Sequence, residues 1–198
     1  MYTTNPVTGE TIIRKRRRRY DIAKQARVLT FSCFHGYKFL AKDRTRQWLV
    51  EELDRVRREH PIELWAYVIM PEHAHVMVYA CEEGIEVGRI IGYAKEEVAR
   101  KAIQFLRKQS PEWLARITFR EGGRIRRRFW QAGGGYDRNI IEDTTLAFEV
   151  DYLHGNPQRR GLVARAIEWK WSSAQWFAGE MDVPLAMDDS VREALCDI

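Results

Sequence analysis

The chain has 198 residues and a formal net charge of +5, with 31% charged and 12% aromatic residues. This length suits one domain with a substantial hydrophobic core. No apolar run approaches the roughly 20 residues that a membrane helix needs, so the sequence argues against a membrane-spanning protein. The three cysteines, Cys33, Cys81 and Cys196, show neither a paired zinc spacing nor a disulfide framework, which favours the reducing cytoplasm.

The N-terminal stretch, residues 1–20, is predicted to be a basic arm outside the folded domain. It contains six adjacent cations, which repel one another and are unsuited to a buried element. They are Arg14, Lys15, Arg16, Arg17, Arg18 and Arg19. Such a run is compatible with a solvated tail. We favour an arm that lies along DNA phosphates, because a second basic cluster follows later in the chain. The cations of that second cluster are Arg124, Arg126, Arg127 and Arg128.

Between residues 25 and 155 the chain alternates between strand and helix patterns. Runs of β-branched and aromatic residues predict strands, and apolar residues three or four apart predict helices. The predicted order is a strand at 27–34, a helix at 45–60, strands at 62–70 and from 73, a helix at 88–108, a strand at 124–131 and a helix at 142–155. This order predicts an α+β fold, a ferredoxin-like sandwich with a central antiparallel sheet and helices.

Two histidines, His73 and His75, begin the strand that follows the Pro71-Glu72 turn. Residues two apart on a strand point to the same face, so both imidazoles should project together while Ala74 points into a core. Neutral imidazole is a common ligand of divalent metal ions. The short motif is equally compatible with two histidines that only form hydrogen bonds.

A second candidate cluster lies near the end of the last predicted helix. Tyr152 and Asn156 are four residues apart, so they share one face of a helix. If that face meets the histidine strand, a phenol and an amide oxygen arrive beside the two imidazoles. Taken singly, Tyr152 is also typical of a core residue, and Asn156 before a proline is also typical of a helix end.

Together these segments resemble the single-tyrosine HUH transposases of the IS200-like group, and among them the REP-associated tyrosine transposases. The matching segments occur in family order between residues 25 and 178. They are Tyr67-Val68-Ile69-Met70-Pro71-Glu72-His73-Ala74-His75, Phe129-Trp130-Gln131, Asp151-Tyr152-Leu153-His154-Gly155-Asn156-Pro157, Gly161-Leu162-Val163 and Trp169-Lys170-Trp171-Ser172-Ser173. One departure is Ala74, which is small where the family usually has a bulky apolar residue.

The resemblance implies an HUH endonuclease-like fold and an enzyme that cleaves and rejoins single-stranded DNA at hairpin-forming sequences. Tyr152 would be the catalytic nucleophile and form a 5′-phosphotyrosine. His73, His75 and Asn156 would bind a divalent metal, Mg²⁺ or Mn²⁺. We expect single-stranded or hairpin DNA as the partner, no membrane association, a monomer or homodimer, and a cytoplasmic protein associated with the nucleoid. The catalytic domain would cover residues 21–180, and residues 181–198 would form a C-terminal tail.

Tyr136 is a competing nucleophile, because it follows three glycines in a segment predicted to be exposed and mobile. A loop positions a phenol less well than a helix does, and Ile140 stands where a ligand four residues on would be. Two other functions also stay open: a non-catalytic nucleic-acid-binding protein on the same fold, and a metal-dependent hydrolase that activates water. A binding protein needs neither Tyr152 nor Asn156, and a hydrolase does not need Tyr152.

Overall fold

The structure is a computed structural model that describes residues 2–4, 11–13, 25–133, 135–140 and 143–196. The predicted basic run at 14–19 lies outside these residues. The strands are β1 (Tyr2–Thr4), β2 (Thr11–Ile13), β3 (Ala26–Ser32), β4 (Ile62–Ile69), β5 (His73–Ala80), β6 (Thr118–Glu121), β7 (Arg124–Arg127) and β8 (Tyr136–Asn139). The helices are α1 (Asp43–Glu59), α2 (Val87–Gln109), α3 (Pro111–Arg116), α4 (Asp143–His154), α5 (Asn156–Arg159), α6 (Ala174–Phe177) and α7 (Ser190–Cys196).

The central sheet has four strands in the order β4-β5-β3-β8, and every neighbouring pair is antiparallel. Helix α1 connects β3 to β4, and β5 lies between those two strands in the sheet. Helix α2 follows β5, so the chain has the split βαβ connections of a ferredoxin-like sandwich. The predicted α+β fold with a central antiparallel sheet is confirmed.

Strand β5 is covered on both of its faces. Ala74, Val76 and Val78 are fully buried, as their alternation predicts, and lie on the face opposite the histidines. Met77 lies on the histidine face and is fully buried as well. Helix α4 covers this second face, because residues of β3, β5 and α4 line one cleft there.

The strand predicted at 124–131 is shorter than expected and does not join the central sheet. Gly122 and Gly123 adopt φ values of +55° and +75°, and they turn β6 back into β7 as a separate two-stranded ribbon. β7 ends at Arg127, after which Phe129 turns inward and is buried. The cause is the turn: two consecutive glycines with positive φ favour a local hairpin.

The fourth strand of the sheet is instead β8, in the segment predicted to be a mobile loop around Tyr136. Its register pairs Tyr136 with Thr30 of β3. Gly135, which precedes β8, has φ +61°, and a Cβ atom there would lie 1.9 Å from the carbonyl oxygen of Thr30. Only glycine fits at this close approach. The glycine run therefore lets β8 pair with β3 beside the residue that pairs with His75.

The segment predicted as a C-terminal tail packs against the domain. Leu185, Met187 and Val191 are buried in the same core as the sheet. The backbone N–H of Leu64 donates a hydrogen bond of 2.8 Å to Asp188 Oδ2. Residues 185–191 are thus built into the core. In the part of the chain that the structure describes, no helix is both long enough and apolar enough to span a membrane.

Candidate active site

The two histidines of β5 lie where this strand pairs with the end of β3. His75 is opposite Thr30 and His73 is opposite Ser32. The main chain of the preceding turn is fixed as well, because the Cys33 N–H donates a 2.8 Å hydrogen bond to the carbonyl oxygen of Glu72. The strand pairing therefore places both imidazoles at one end of the sheet, as the sequence predicts.

The two imidazole rings face each other through their Nε2 atoms, which are 3.0 Å apart. The rings are nearly perpendicular, with an interplanar angle of 88°. The Nδ1 atom of each ring has its own partner. His73 Nδ1 lies 3.2 Å from Glu72 Oε1, and His75 Nδ1 lies 2.7 Å from Thr30 Oγ1.

The partner of His73 determines which nitrogen of that ring carries a proton, whereas the partner of His75 allows both tautomers. An ionised Glu72 carboxylate only accepts hydrogen bonds, so His73 Nδ1 is the donor and its Nε2 keeps a lone pair when the ring is neutral. The Thr30 hydroxyl can either donate or accept. When it accepts from His75 Nδ1, the Nε2 lone pairs of both rings point at one position.

Burial keeps both histidines neutral. It lowers the pKa of His73, against an opposing effect of the nearby Glu72 carboxylate. It lowers the pKa of His75 to about 4, with smaller contributions from His73 and Arg159. Neutral imidazole is the form that binds metal ions, so both rings are ready to act as ligands at neutral pH.

The donor set fits a divalent metal ion. Two nitrogen ligands at ~2.1 Å from one ion and at a right angle are ~3.0 Å apart, which matches the distance between the two Nε2 atoms. Among the described residues, no group of three or more His, Cys, Asp and Glu side chains is gathered around a metal site. A third protein ligand would therefore come from another residue type, such as the predicted amide of Asn156.

Tyr152 lies on the same cleft as His75. This cleft has a volume of about 410 Å³, and Val28 and Thr30 of β3 form its floor. Tyr152 is 47% exposed, and Phe148, one helical turn earlier, is 65% exposed. Their rings stack at an interplanar angle of 22°. The structure thus brings the predicted nucleophile and a predicted ligand to one solvent-accessible cleft.

Asn156 begins α5, directly after the helix that carries Tyr152. Its Nδ2 donates to the carbonyl oxygens of Tyr152 and Leu153 at 3.0 and 3.2 Å. The assignment of nitrogen is required, because carbonyl oxygens only accept. The amide oxygen takes no part in these bonds. Asn156 therefore closes the end of α4 in this structure, and its predicted role as a ligand stays a prediction.

Two arginines of this region were missed by the sequence analysis. The Arg159 guanidinium carbon lies 4.3 Å from the centre of the Tyr152 ring, and this side chain also donates to the Tyr152 carbonyl oxygen. Arg160 forms an ion pair of 3.2 Å with Glu72. Both cations follow the Asn156-Pro157 motif directly, and this position was the only signal in the sequence.

Comparison with known proteins supports the resemblance seen in the sequence. A Haemophilus influenzae protein named as a REP-associated tyrosine transposase is 27% identical over 154 residues, which span 74% of this chain and 82% of the relative. The solved structure of a REP-associated tyrosine transposase bound to a REP hairpin superposes with a TM-score of 0.65 and 19% identity, covering 84% of this chain and 86% of that one. The chain is thus similar in sequence and in fold to proteins named as REP-associated tyrosine transposases. No protein-family model matches it.

The second arginine cluster of the chain lies on and directly after the β6–β7 ribbon. Arg124, Arg126 and Arg127 are exposed. Arg128 differs, because its guanidinium donates to both Glu121 carboxylate oxygens at 2.8 Å and lies 4.6 Å from the centre of the Phe119 ring. The structure therefore separates three exposed cations from one that is paired with the Glu121 carboxylate.

Proposed function

We propose that this protein is a metal-dependent single-strand DNA endonuclease and transposase that cleaves and rejoins DNA through Tyr152. The observation that carries the proposal is the cleft shared by His75 and the accessible phenol of Tyr152, with the His73 Nε2 atom 3.0 Å from that of His75. The named activity of the relatives supports this reading. Because the substrate is DNA, we place the protein in the cytoplasm, at the nucleoid.

His73, His75 and Asn156 would hold the metal ion, Mg²⁺ or Mn²⁺. When bound, such an ion neutralises charge on the scissile phosphate and polarises its phosphorus–oxygen bond. Glu72 and Thr30 orient the imidazoles through their Nδ1 atoms. Arg159 and Arg160 add positive charge on the same side, which favours binding of a phosphodiester.

In the proposed reaction the Tyr152 oxygen attacks the scissile phosphorus and loses its proton. The bond from phosphorus to the 3′ oxygen breaks, and this oxygen leaves as a 3′-hydroxyl after gaining a proton. The DNA stays attached through a 5′-phosphotyrosine, a polarity taken from the family resemblance. Attack by another 3′-hydroxyl reverses the step and rejoins DNA without ATP, because the phosphoester bond is kept.

We further propose hairpin-forming DNA as the substrate, in keeping with the REP hairpin in the related solved structure. A two-stranded β-ribbon fits the major groove of a duplex. The register of β6 and β7 puts Arg124 and Arg126 on one face of the ribbon and Arg127 on the other. The run at residues 14–19 would supply further phosphate contacts.

Mapping of the covalent adduct tests the nucleophile. Wild-type protein, single-stranded hairpin DNA and Mn²⁺ should give a protein–DNA adduct on denaturing gels, and mass spectrometry should locate it at Tyr152. Tyr152→Phe keeps the ring and should bind DNA normally while forming no adduct. Tyr136→Phe is the matched control and should leave cleavage mostly intact.

Two outcomes would overturn the assignment of Tyr152. An adduct at Tyr136, or an adduct in Tyr152→Phe, would show that the nucleophile lies elsewhere. Metal-dependent cleavage without any adduct would support a hydrolase that activates water. DNA binding without any cleavage in the presence of metal would support a non-catalytic binding protein.

Salt dependence of hairpin binding tests the ribbon. Replacing Arg124, Arg126 and Arg127 together by Ala should lower the slope of log affinity against log salt by up to about 2.7, since each lost phosphate contact removes about 0.9. Arg128→Ala is the control, because its guanidinium is engaged with Glu121, and it should change the slope by less than about 0.9. Equal slopes for wild type and the triple variant would exclude the ribbon as a phosphate-binding surface.

A further inference from the structure

A second cleft lies on the other side of the sheet, between α1, α2 and α3. It has a volume of about 280 Å³, and its walls are mainly aromatic. Its aromatic side chains are Phe39, Trp48, Phe105, Trp113 and Phe129. All but the buried Phe129 are half-buried, so part of each of these four side chains is open to solvent. The described residues of the histidine cleft contribute nothing to this one.

The rim of this aromatic cleft is positively charged. Lys38, Lys42 and Arg44 are exposed and line it, and no carboxylate side chain is among the described residues that do so. The Arg44 guanidinium carbon lies 3.5 Å from the centre of the Phe105 ring and 5.5 Å from that of Trp48. Aromatic walls suit a flat ring, and three exposed cations with no carboxylate among the described lining residues suit an anionic group attached to it.

We infer that this cleft binds one unpaired nucleotide of the substrate DNA, with the base between the aromatic side chains and its phosphate at the cationic rim. The volume of about 280 Å³ is slightly below the ~300–1,000 Å³ of ligand pockets, so the cleft has room for a single nucleotide at most. Stacking of a base on an aromatic side chain and neutralisation of its phosphate together are the usual means of holding single-stranded DNA. The inference rests on the proposed DNA substrate.

The cleft is continuous with the other surfaces assigned to DNA. Helix α3, which carries Trp113, leads directly into the ribbon strand β6, and Phe129 follows β7. On its other side, the segment that carries Phe39 is tied to the turn before His73, because the Leu40 N–H donates a 2.9 Å hydrogen bond to the Pro71 carbonyl oxygen. These connections link the walls of the cleft to the ribbon and to the turn before the histidines, so the inference places the unpaired nucleotide on a strand that leaves a hairpin stem on the ribbon.

Binding of two DNA hairpins tests the inference, one with single-stranded flanks and one without, in the Tyr152→Phe protein without added metal. The flanked hairpin should bind more tightly. Trp48→Leu, and separately Lys38→Ala with Lys42→Ala, should weaken binding of the flanked hairpin by about tenfold and leave the unflanked hairpin unchanged. The lysine pair is exposed, so this variant keeps its fold. Arg100→Ala with Arg107→Ala is the charge-matched control on another groove of α2, and it should affect both hairpins equally.

Photocrosslinking gives a second readout. Flanks that carry 5-iodouracil at successive positions should crosslink at one position to Trp48, Phe105 or Trp113, located by mass spectrometry. If the flanked hairpin binds but all crosslinks map elsewhere, or if neither cleft variant weakens its binding selectively, the inference is wrong and the proposed function stands. If neither hairpin binds to the protein, the proposed function and the inference both fail.

Discussion

The two walls of the histidine cleft differ in how firmly they are held. On the strand wall the His73 side chain is only 12% exposed, and both imidazoles have hydrogen-bond partners at Nδ1. On the helix wall Tyr152 and Phe148 are about half and two-thirds exposed and stack mainly on each other. The difference matches the separate roles proposed for the histidines and for Tyr152. Metal ligands gain from a fixed geometry, whereas a nucleophile needs room for DNA at its side.

Helix α4 is nevertheless anchored to the sheet. Glu149 is buried and forms an ion pair with Arg138 of β8. His154, in the last turn, is also buried and forms a 2.8 Å hydrogen bond with Ser173. The backbone of the helix wall is thus positioned by two buried polar contacts on either side of Tyr152, while the phenol stays accessible.

Loss of both histidines should reduce cleavage more than any other change considered, because it removes both predicted imidazole ligands. We expect His73→Ala with His75→Ala to reduce metal-dependent cleavage by at least about 1,000-fold, equivalent to about 4 kcal/mol of transition-state stabilisation. His35→Ala, at an exposed histidine, is the control and should retain cleavage. Circular dichroism checks the fold. Full cleavage by the folded double variant would exclude a metal site here.

Removal of the Thr30 hydroxyl, the partner of His75, should have a smaller effect on cleavage. Thr30→Val keeps the shape of the side chain but removes the hydroxyl that bonds Nδ1. We expect metal affinity to fall about 10- to 100-fold, with cleavage restored at higher Mn²⁺ concentration. Thr118→Val is the control, because that hydroxyl bonds the Leu114 carbonyl oxygen instead. Unchanged affinity in Thr30→Val would mean that strand pairing alone orients His75.

A change of pH should have the smallest effect, and this effect is on metal affinity. Ordinary histidines with a pKa near 6.5 would lose about 100-fold in metal affinity as a pair between pH 7.5 and 5.5. Here the pKa of His75 is lowered to about 4 and that of His73 is lowered as well, so we expect a loss of less than about tenfold. Electron paramagnetic resonance of Mn²⁺ measures it. A loss beyond tenfold would show that the rings titrate as exposed histidines do.

The free energy of unfolding should also depend on pH, because burial lowers the pKa of two histidines. The folded-state pKa of His75 and of His154 is lowered to about 4 in each case by burial. The unfolded chain therefore takes up protons first as the pH falls below ~6.5. The stabilisation from these two residues is fully present above that value, and it is lost as the pH falls from there towards 4.

Much of the site could be predicted from the sequence, because it depends on local periodicity. The alternation along β5 fixed the shared face of His73 and His75, and the apolar run at 62–70 indicated the neighbouring strand. The apolar spacing also placed Tyr152 on the last predicted helix, although that helix ends at His154 and Asn156 begins α5. These predictions use contacts between residues close in sequence, for which strand and helix geometry suffices.

Other features could not be predicted from the sequence, because they depend on contacts between residues that are distant along the chain. Thr30 meets His75 across 45 residues, and no local pattern marks a threonine on a strand as the partner of a histidine. The loop predicted around Tyr136 became β8 because β3 offered a free edge and Gly135 allowed the close approach. The basic run at 124–128 likewise divides in the structure into exposed arginines and one that is paired with Glu121.

The sequence by itself determined the order of the elements from β3 to α2, the common face of the two histidines and the helix that carries Tyr152. Each follows from the period of a single element. The tertiary structure decided which face α4 covers, which partners hold the two Nδ1 atoms, and that the aromatic residues from α1, α2 and α3 form a second cleft. These arrangements depend on contacts between distant segments, and such contacts are determined only when the whole core packs.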